Sequence, residues 1–459
     1  MMELGCQSAQ TADNQQQRWV LASVVMCFNE GKNFCRTGIV MGFNWSVLRR
    51  YAWLLPLLAF LCTATYWRSL SLPLISDDYL QIELGRKYGP ISSWPDLAND
   101  ALYRCRATSI VVTHWTEQMF GVNPLWFNLS SLLIHFGNCS LVILLGFWRP
   151  IGFALSVPAA CIFAFLQRPH EAVIWYAALP ELLVFTFTLA ALVAWILHCN
   201  SRQWHWFALS MAAFLLALLS KESAVVFVPL ALLVAVAEPK RWWRLTPAIA
   251  LSVLYFLAIY GDRQTHLHFN DGTFSLSAPF WSAELRTIGR LLGFWGTAAL
   301  LVLAAWHRSW KLIGLCVLWM VITLLPYSFL TYQGLAPSRH AYMAAVGKAF
   351  LLGLAWLTLR ERFPRHQAIS IAVAAICVVQ QTSYVSIYKY GQFLQRARPT
   401  ERLVSAIEGY SGPVQLLCFP YPLEIAAVTL SVRIQNRAWL ANHDEAAIPR
   451  IVDYCPSTD

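Results

Sequence analysis

Long apolar segments alternate with short polar ones along most of the chain, from Tyr51 almost to Tyr390. Many of them approach the length of about 20 residues that crosses a bilayer as a helix. They cannot all share one soluble core, because such a core does not grow indefinitely with chain length. The spans must be helical, because lipid offers no partner for free backbone groups. The pattern predicts eleven spans, near 51–71, 124–147, 151–167, 173–197, 204–219, 223–237, 244–260, 287–306, 311–330, 340–359 and 367–388.

The loops between these spans fall into two sets. Every second loop is short and basic, and the positive-inside rule makes that side cytoplasmic. The other side holds the longer and chemically mixed segments, among them 73–123, 261–286 and the tail from about 390. The predicted fold class is an all-α polytopic membrane protein with about 11 transmembrane helices. Its chemistry is expected at the outer face.

Three regions follow from the same pattern. Residues 1–48 are polar and are predicted to be a disordered cytoplasmic segment. Residues 49–390 form the transmembrane module with its large outer loop 73–123, and residues 391–459 form a small outer tail.

The tail differs in composition from the module. A strand-like run over 414–419 precedes a Pro-Tyr-Pro turn and a possible helix over 423–434, which predicts a small α/β appendage. Cys418 and Cys455 could pair if the tail lies in an oxidising space.

Composition supports the membrane assignment and narrows the partners. Of 459 residues, 58% are hydrophobic and 13% charged, and the mean hydropathy is +0.49. The net charge of +10 does not indicate nucleic acid, because the basic residues form short clusters between apolar segments. The 12 cysteines are scattered without a recognisable Cys/His cluster, so we expect no metal site and no cofactor.

An acidic pair, Asp77-Asp78, follows the first span directly. One interpretation is a solvated helix cap, since Asp begins helices well. The other is a general base, because partial burial and a neighbouring carboxylate both raise the pKa of an Asp towards working pH. The residues alone leave both open.

Other ionisable residues collect at the same outer face. Each has an ordinary interpretation as an interface anchor or local ion pair, and a functional one as a contact to a polar or phosphorylated head group. The candidates are Arg104, Arg106, His170, Glu171, Glu181, Lys221, Glu222, Arg286, Arg290, Arg339, His340 and Tyr342.

Taken in order, these motifs resemble the GT-C glycosyltransferases. The matching pieces are Asp77-Asp78, Tyr103-Arg104, Glu171 through Trp175 with Pro180-Glu181, Ser220-Lys221-Glu222, and Ser338 through Tyr342. The most similar group is the membrane portion of the tetratricopeptide-linked O-mannosyltransferase-type proteins. The resemblance covers roughly residues 50–360.

This sequence departs from that group at three points. Arg168-Pro169 stands where the group has His-Pro, and His340 stands where it has Tyr. No tetratricopeptide array follows, which leaves the acceptor in doubt.

The resemblance implies an inverting transfer of a sugar from a polyprenyl-phosphate donor to an acceptor hydroxyl of a protein or glycan. It implies Asp77 as the base, Asp78 as its partner or as a ligand of the acceptor, and Arg339 and Lys221 as phosphate contacts, with Arg286 and Arg290 in reserve. No metal or cofactor is needed for it. Relatives that lack the repeats look bacterial, so we expect the inner membrane, with the site facing the periplasm.

Two other classes of function stay open at this point. A transporter or flippase of lipid-linked sugars or other anions would explain the many spans, but it predicts repeat symmetry that the sequence lacks. A non-catalytic membrane scaffold would leave the outer cluster of ionisable residues unexplained.

Overall fold

The structure is a computed structural model. It describes residue 49 and residues 51–235, 239–264, 273–275, 277–306, 309–331, 336–410, 414–434 and 450–455. The N-terminal segment 1–48, predicted to be cytoplasmic and disordered, lies outside the described residues.

Helices account for most of the described chain. In chain order they are α1 Leu54–Tyr66, α2 Asp77–Tyr88, α3 Trp94–Asn99, α4 Ala107–Phe120, α5 Pro124–Leu144, α6 Gly152–Phe163, α7 His170–Ile174, α8 Leu179–Ser201, α9 Trp204–Leu218, α10 Phe227–Ala235, α11 Thr246–Gly261, α12 Phe280–Trp306, α13 Trp310–Leu324, α14 Ala345–Arg362, α15 Gln367–Ser383, α16 Tyr390–Ile407 and α17 Leu423–Ile434. The two strands are β1 Val414–Leu417 and β2 Arg450–Asp453.

A helix lies at each of the eleven predicted spans, and the predicted fold class is confirmed. Six segments of the described chain are long and apolar enough to cross a membrane: Pro124–Phe147, Tyr176–Ser201, Trp242–Gly261, Phe280–Trp306, Trp310–Phe329 and Pro364–Ile407. The other predicted spans correspond to α1, α6, α9, α10 and α14, which are shorter or carry more charge. A helix of 15 residues such as α9 is roughly 23 Å long, less than the roughly 30 Å of bilayer hydrocarbon.

The helices differ in what surrounds them. Almost the whole of α8 is buried among other helices, whereas α11 and α15 leave most of their apolar side chains exposed. Exposed apolar surface on this scale is expected to face lipid rather than water. The bundle therefore has α8 near its centre and lipid-facing helices at its edge.

The outer loop and the tail pack against each other. The loop folds into α2, α3 and α4, and α17 of the tail lies against α2. The Arg86 guanidinium donates to the carbonyls of Ser431 and Val432, at 3.4 and 3.2 Å, and the Tyr79 hydroxyl donates to Glu401. These contacts place α16, which begins the tail, beside the start of α2.

The tail is a small α/β unit, as predicted. β1 and α17 lie where the sequence indicates a strand and a helix, and β1 pairs in parallel with β2, which the sequence did not predict. A disulfide joins Cys418 to Cys455. The division of the chain at residue 390 stays a prediction.

Candidate active site

Asp77 and Asp78 occupy the first turn of α2, directly after Ser76. Ser76 has φ 27° and ψ −92°, a positive φ that is uncommon for a residue with a side chain. Such strain tends to persist where surrounding contacts hold it, often at functional sites. Both carboxylates lie at the positive end of the helix dipole, which favours their charged form.

The two aspartates lie in different surroundings. Asp78 is 2% exposed, and its two carboxylate oxygens accept hydrogen bonds from the backbone N–H groups of Ile75 and Ala177, both at 2.7 Å. Because Ala177 lies two residues before α8, Asp78 ties the outer loop to the start of the central helix. Asp77 is half-buried, and its Oδ1 accepts a hydrogen bond from the Ser76 hydroxyl at 3.5 Å.

For each aspartate, burial raises the pKa and nearby positive charges lower it. Burial raises the pKa of Asp78 to about 7, although the two backbone hydrogen bonds oppose the shift. Burial also raises the pKa of Asp77, and the positive charges of Arg396 and Arg339 lower it. Asp77 is thus the carboxylate that lies near cations and is partly accessible.

Arg339 and Arg396 belong to a group that we call the arginine–carboxylate cluster: Asp77, Glu171, Trp175, Arg339 and Arg396. The Arg339 guanidinium donates to Glu171 Oε1 at 3.1 Å, its backbone N–H donates to Glu171 Oε2 at 3.2 Å, and Arg396 lies 4.0 Å from Glu171 Oε1. Both guanidinium carbons lie over the Trp175 ring, at 5.0 and 4.6 Å from its centroid. The cluster joins residues from the first outer loop, the second outer turn, the start of the tenth span and the tail.

Three further cations, Arg168, Arg290 and Lys348, continue from this cluster into the bundle; we call them the inner cations. Glu171 and Arg168 are both within electrostatic range of Arg290, and Arg168 is within range of Lys348. Gly293 breaks α12 with φ 52°, and Arg168 Nη2 lies 3.9 Å from where a side chain at that glycine would begin. The kink leaves room for the guanidinium beside α12.

Lys348 is the most unusual of these cations. It is 2% exposed on α14, and it has no hydrogen-bond or ion-pair partner among the residues that the structure describes. A buried ammonium without a counter-charge is costly, so an anion bound nearby would stabilise the charged form of this side chain.

A large apolar cavity of about 730 Å³ lies between α1, α6, α12, α14 and α15. Its lining includes Cys377, which is within electrostatic range of Lys348. Trp295 also lines it and donates to Gln380 at 3.1 Å, which in turn donates to Gln167, next to Arg168. Cys377 and Trp295 therefore connect the cavity lining to Lys348 and to the residue beside Arg168, although neither cation lines the cavity itself.

A second polar group is enclosed deeper in the bundle; we call it the Glu181 cluster: Glu181, Lys221, Ser223, Tyr327 and His340. Lys221 pairs with Glu181 Oε1, which also lies 2.5 Å from His340 Nδ1, and Tyr327 donates to Glu181 Oε2 at 2.8 Å. The rings of Tyr327 and His340 stack with centroids 4.3 Å apart. Its members satisfy one another's charge and most of their hydrogen bonds.

The structure thus brings Asp77, Glu171, Arg339 and Arg290 to one face of the candidate site. Glu181, Lys221 and His340 are placed together as well, but Lys221 already has a carboxylate partner. The part of Lys221 in binding phosphate stays a prediction.

The remaining predicted residues lie elsewhere. Arg104 pairs with Asp262 and donates to the Ala258 carbonyl at 3.0 Å, which links the outer loop to α11. Arg286 is exposed on α12, one turn from Arg290. Tyr342 is inside the bundle, 2.6 Å from His135 Nδ1.

Arg106, Glu222 and His170 also lie outside the arginine–carboxylate cluster. Arg106 and Glu222 are within electrostatic range of Lys221, on the side of the Glu181 cluster. Burial lowers the pKa of His170 to about 3, so its ring is neutral and lies 2.6 Å from the Gln167 carbonyl through Nδ1.

Sequence reasoning did not assign Arg396, Trp175, Arg168 or Lys348 to the site. Lys348 carried a usable signal, since an ionisable residue inside a predicted span is a functional candidate. Arg396 carried none, because its approach to Asp77 depends on the tail folding back over the outer loop.

Comparison with known proteins gives a likeness to a solved structure. No family model and no curated protein sequence matches the chain. The structure is similar to the crystal structure of ArnT from Cupriavidus metallidurans bound to undecaprenyl phosphate, with a TM-score of 0.51 and 13% sequence identity over 84% of this chain and 85% of that one. The fold is of the GT-C type. At this identity the likeness concerns the fold alone, and the narrower resemblance to the O-mannosyltransferase-type proteins stays a prediction.

Proposed function

We propose that this protein transfers a sugar from a polyprenyl-phosphate donor to an acceptor hydroxyl at the outer face of the membrane, with inversion and with Asp77 as the general base. The observations that carry the proposal are an apolar cavity, a buried lysine within electrostatic range of Cys377 in the cavity lining, and a partly accessible carboxylate near two arginines. A lipid-linked sugar phosphate has an apolar chain followed by an anionic phosphate. The cavity suits the chain, and the cations suit the phosphate.

The donor would enter through the cavity from the membrane. A volume of about 730 Å³ with an apolar lining suits a hydrocarbon chain, and pockets of 300–1,000 Å³ are ordinary for ligands. The inner cations would then meet the phosphate. Lys348 supports this assignment most strongly, because a bound phosphate supplies the counter-charge that the described residues do not.

The reaction would proceed in one displacement. The Asp77 carboxylate takes the proton from the acceptor hydroxyl, whose oxygen attacks the anomeric carbon from the side opposite the phosphate. The bond between that carbon and the phosphate oxygen breaks, and the electron pair leaves with the polyprenyl phosphate. Arg168, Arg290 and Lys348 stabilise the charge that develops on this leaving group.

Asp77 suits the base better than Asp78 does. Both oxygens of Asp78 already accept backbone hydrogen bonds, and its side chain is almost fully enclosed. Asp77 keeps accessible surface and lies near two arginines that hold its pKa below the value that burial alone would give. We therefore assign Asp78 to positioning, as the residue that fixes the first turn of α2.

The similar fold supports the donor class. ArnT from Cupriavidus metallidurans has been crystallised with undecaprenyl phosphate, and we extend a polyprenyl-linked donor to this chain on the strength of its own cavity and cations. We retain the bacterial inner membrane, with the site facing the periplasm, and a protein or glycan hydroxyl as the acceptor.

The test uses purified protein in liposomes with a radiolabelled polyprenyl-phosphate sugar. The wild type should release free polyprenyl phosphate, and Asp77→Asn should lower that rate by about 10²–10⁴-fold, the usual contribution of a general base. The variant should keep the wild-type elution profile and thermal stability.

Three outcomes would contradict the proposal. Full activity in Asp77→Asn would remove Asp77 from the mechanism, and full activity in both Asp77→Asn and Asp78→Asn would remove the acidic pair. Movement of labelled lipid between leaflets without cleavage would favour the flippase instead.

A further inference from the structure

Two cysteines and a histidine meet inside the bundle, away from the candidate active site. Cys62 lies on α1, and His135 and Cys139 lie one turn apart on α5. Cys62 is 1% exposed and the other two are fully buried. The sequence separates the two helices by more than 50 residues, so only the fold shows the cluster.

The distances between the ligand atoms suit one metal ion. The two sulfurs are 3.9 Å apart, Cys139 Sγ is 3.8 Å from His135 Nε2, and all three ligand atoms lie within 4.8 Å of one another. Around a tetrahedral zinc ion the sulfur–sulfur distance would be roughly 3.8 Å and the sulfur–nitrogen distance roughly 3.6 Å, given the usual bond lengths. Two of the three distances therefore agree with a bound zinc ion to within tenths of an ångström, and the third, from Cys62 Sγ to the histidine, is within 4.8 Å.

The surroundings include partners that orient the histidine. His135 Nδ1 lies 2.6 Å from the Tyr342 hydroxyl, which also accepts from Asn138 Nδ2 at 3.2 Å. With Nδ1 protonated and donating to Tyr342, Nε2 is free to bind a metal, the usual arrangement behind a metal-bound histidine. Without an ion, Nε2 lies 3.3 Å from the Ala164 carbonyl instead.

A fourth polar group lies near the two cysteines. The Tyr66 hydroxyl is buried and has no hydrogen-bond partner among the described residues, and the Tyr66 ring packs edge-on against His135 with centroids 5.3 Å apart. Buried polar atoms rarely stay unpaired in native proteins. A ligand bound between these side chains would give the hydroxyl a partner.

We propose that Cys62, Cys139 and His135 bind one zinc ion within the membrane bundle. Thiolate and imidazole ligands suit zinc, and two thiolates with a neutral imidazole bring the net charge of the site to zero. A neutral site is strongly favoured where the surroundings have a low dielectric constant. A cuprous ion with the same ligands would leave one negative charge uncompensated.

The ion would act as a structural clamp rather than in the reaction. It would join α1, which leads into the Asp77 loop, to α5, and the hydrogen bond from His135 to Tyr342 extends this link towards Arg339. The inference does not depend on the proposed function, since it concerns residues outside both the arginine–carboxylate cluster and the inner cations.

The first measurement is the metal content of the full-length protein, purified in detergent and analysed by plasma mass spectrometry. The wild type should carry about one zinc ion per chain, as a single site requires. Cys139→Ser and His135→Gln should fall to the background level. Cys161→Ser is the matched control, because Cys161 lies nearby on α6 but outside the ligand set, and it should keep the ion.

A second measurement avoids variants that fail to fold. Wild-type protein stripped of metal and given Co²⁺ should develop the thiolate-to-cobalt absorption in the near ultraviolet, and Zn²⁺ should remove it. Absence of metal in the wild type with no uptake of Zn²⁺ or Co²⁺ would overturn the proposal. Copper at these residues, or a Cys62–Cys139 disulfide found by mass spectrometry, would overturn it as well.

Discussion

The arginine–carboxylate cluster and the Glu181 cluster contain similar residues in different states. In the first, two carboxylates meet two arginines beside the inner cations, and Asp77 and the arginines keep some exposure. In the second, one carboxylate, one lysine, one histidine and one tyrosine enclose each other. The first cluster lies beside further cations that could bind an anionic ligand. In the second cluster, the charges and most hydrogen bonds are satisfied by its own members.

This difference separates a site that binds from a site that holds the fold. A buried ion pair is strongly destabilising when one partner is removed, because the other charge stays buried and unpaired. A partly exposed pair contributes little to stability, since water screens it. Substitutions in the two clusters should therefore affect different measurements.

The largest expected effect on stability comes from Glu181→Gln. It leaves the Lys221 ammonium buried without its partner and should lower the free energy of unfolding by about 3–5 kcal/mol. Reversible titration with a denaturing detergent measures this loss. The matched substitution in the other cluster, Glu171→Gln, should cost about 1 kcal/mol or less, because that pair is partly exposed.

The double variant Glu181→Gln/Lys221→Met checks the cause. It removes the stranded ammonium and should recover most of the lost stability. Equal losses of stability in Glu181→Gln and Glu171→Gln would mean that the ion pairs of the two clusters contribute equally to folding, which contradicts the proposed difference between them.

Lys348→Met should affect donor binding and leave stability intact. The substitution removes a buried cation that has no partner among the described residues, so folding should be unharmed or improved. Loss of a charge-assisted contact to phosphate, about 1.5–3 kcal/mol, should raise KM for the donor by roughly 10–100-fold. Lys311→Met, at an exposed lysine on α13, is the control and should leave KM unchanged. An unchanged KM in Lys348→Met would place the phosphate elsewhere.

Asp78→Asn should lower stability in a way that depends on pH. An amide nitrogen cannot accept one of the two backbone hydrogen bonds that Asp78 accepts, so at about pH 4 the variant should lose about 1–3 kcal/mol of stability. The pKa of Asp78 is raised from 3.8 to about 7. A carboxyl group with a raised pKa favours folding below its unfolded pKa, and that contribution is lost as the pH rises through the folded pKa.

The difference between Asp78→Asn and wild type should accordingly shrink as the pH rises from about 4 to about 7, and it should stay constant at higher pH. Thermal unfolding from about pH 4 to about pH 8 measures it. A gap that widens with rising pH would show that Asp78 is ionised and stabilising in the fold.

The sequence predicts the architecture better than the site. Lipid forces apolar helices, and the residues of α5, α8 and α12 carry that signal locally. Asp77, Glu171 and Arg339 could be named from their place at one predicted face. Arg396 could not, because no local pattern shows that the tail returns to α2.

The sequence also does not show which side chains pair with each other across the fold. Lys221 suggests a phosphate ligand when it is considered alone, but Glu181, 40 positions away, neutralises it. Cys62 and Cys139 suggest small apolar residues until α1 and α5 are seen side by side. Local patterns predict which residues carry charge or sulfur, while long-range contacts decide which of them are free to bind.

The pH dependence of donor cleavage in Arg396→Gln tests whether Asp77 is the general base. If Asp77 takes the proton, the wild-type rate should fall as the pH drops through the pKa of Asp77, and Arg396 holds that pKa down. Removing the arginine should move the acidic limb of the pH–rate profile to higher pH by up to about one unit, the effect expected of one partly screened charge. Arg398→Gln, on the same helix, should leave the limb in place. A limb that stays put in Arg396→Gln, or moves to lower pH, would contradict Asp77 as the base.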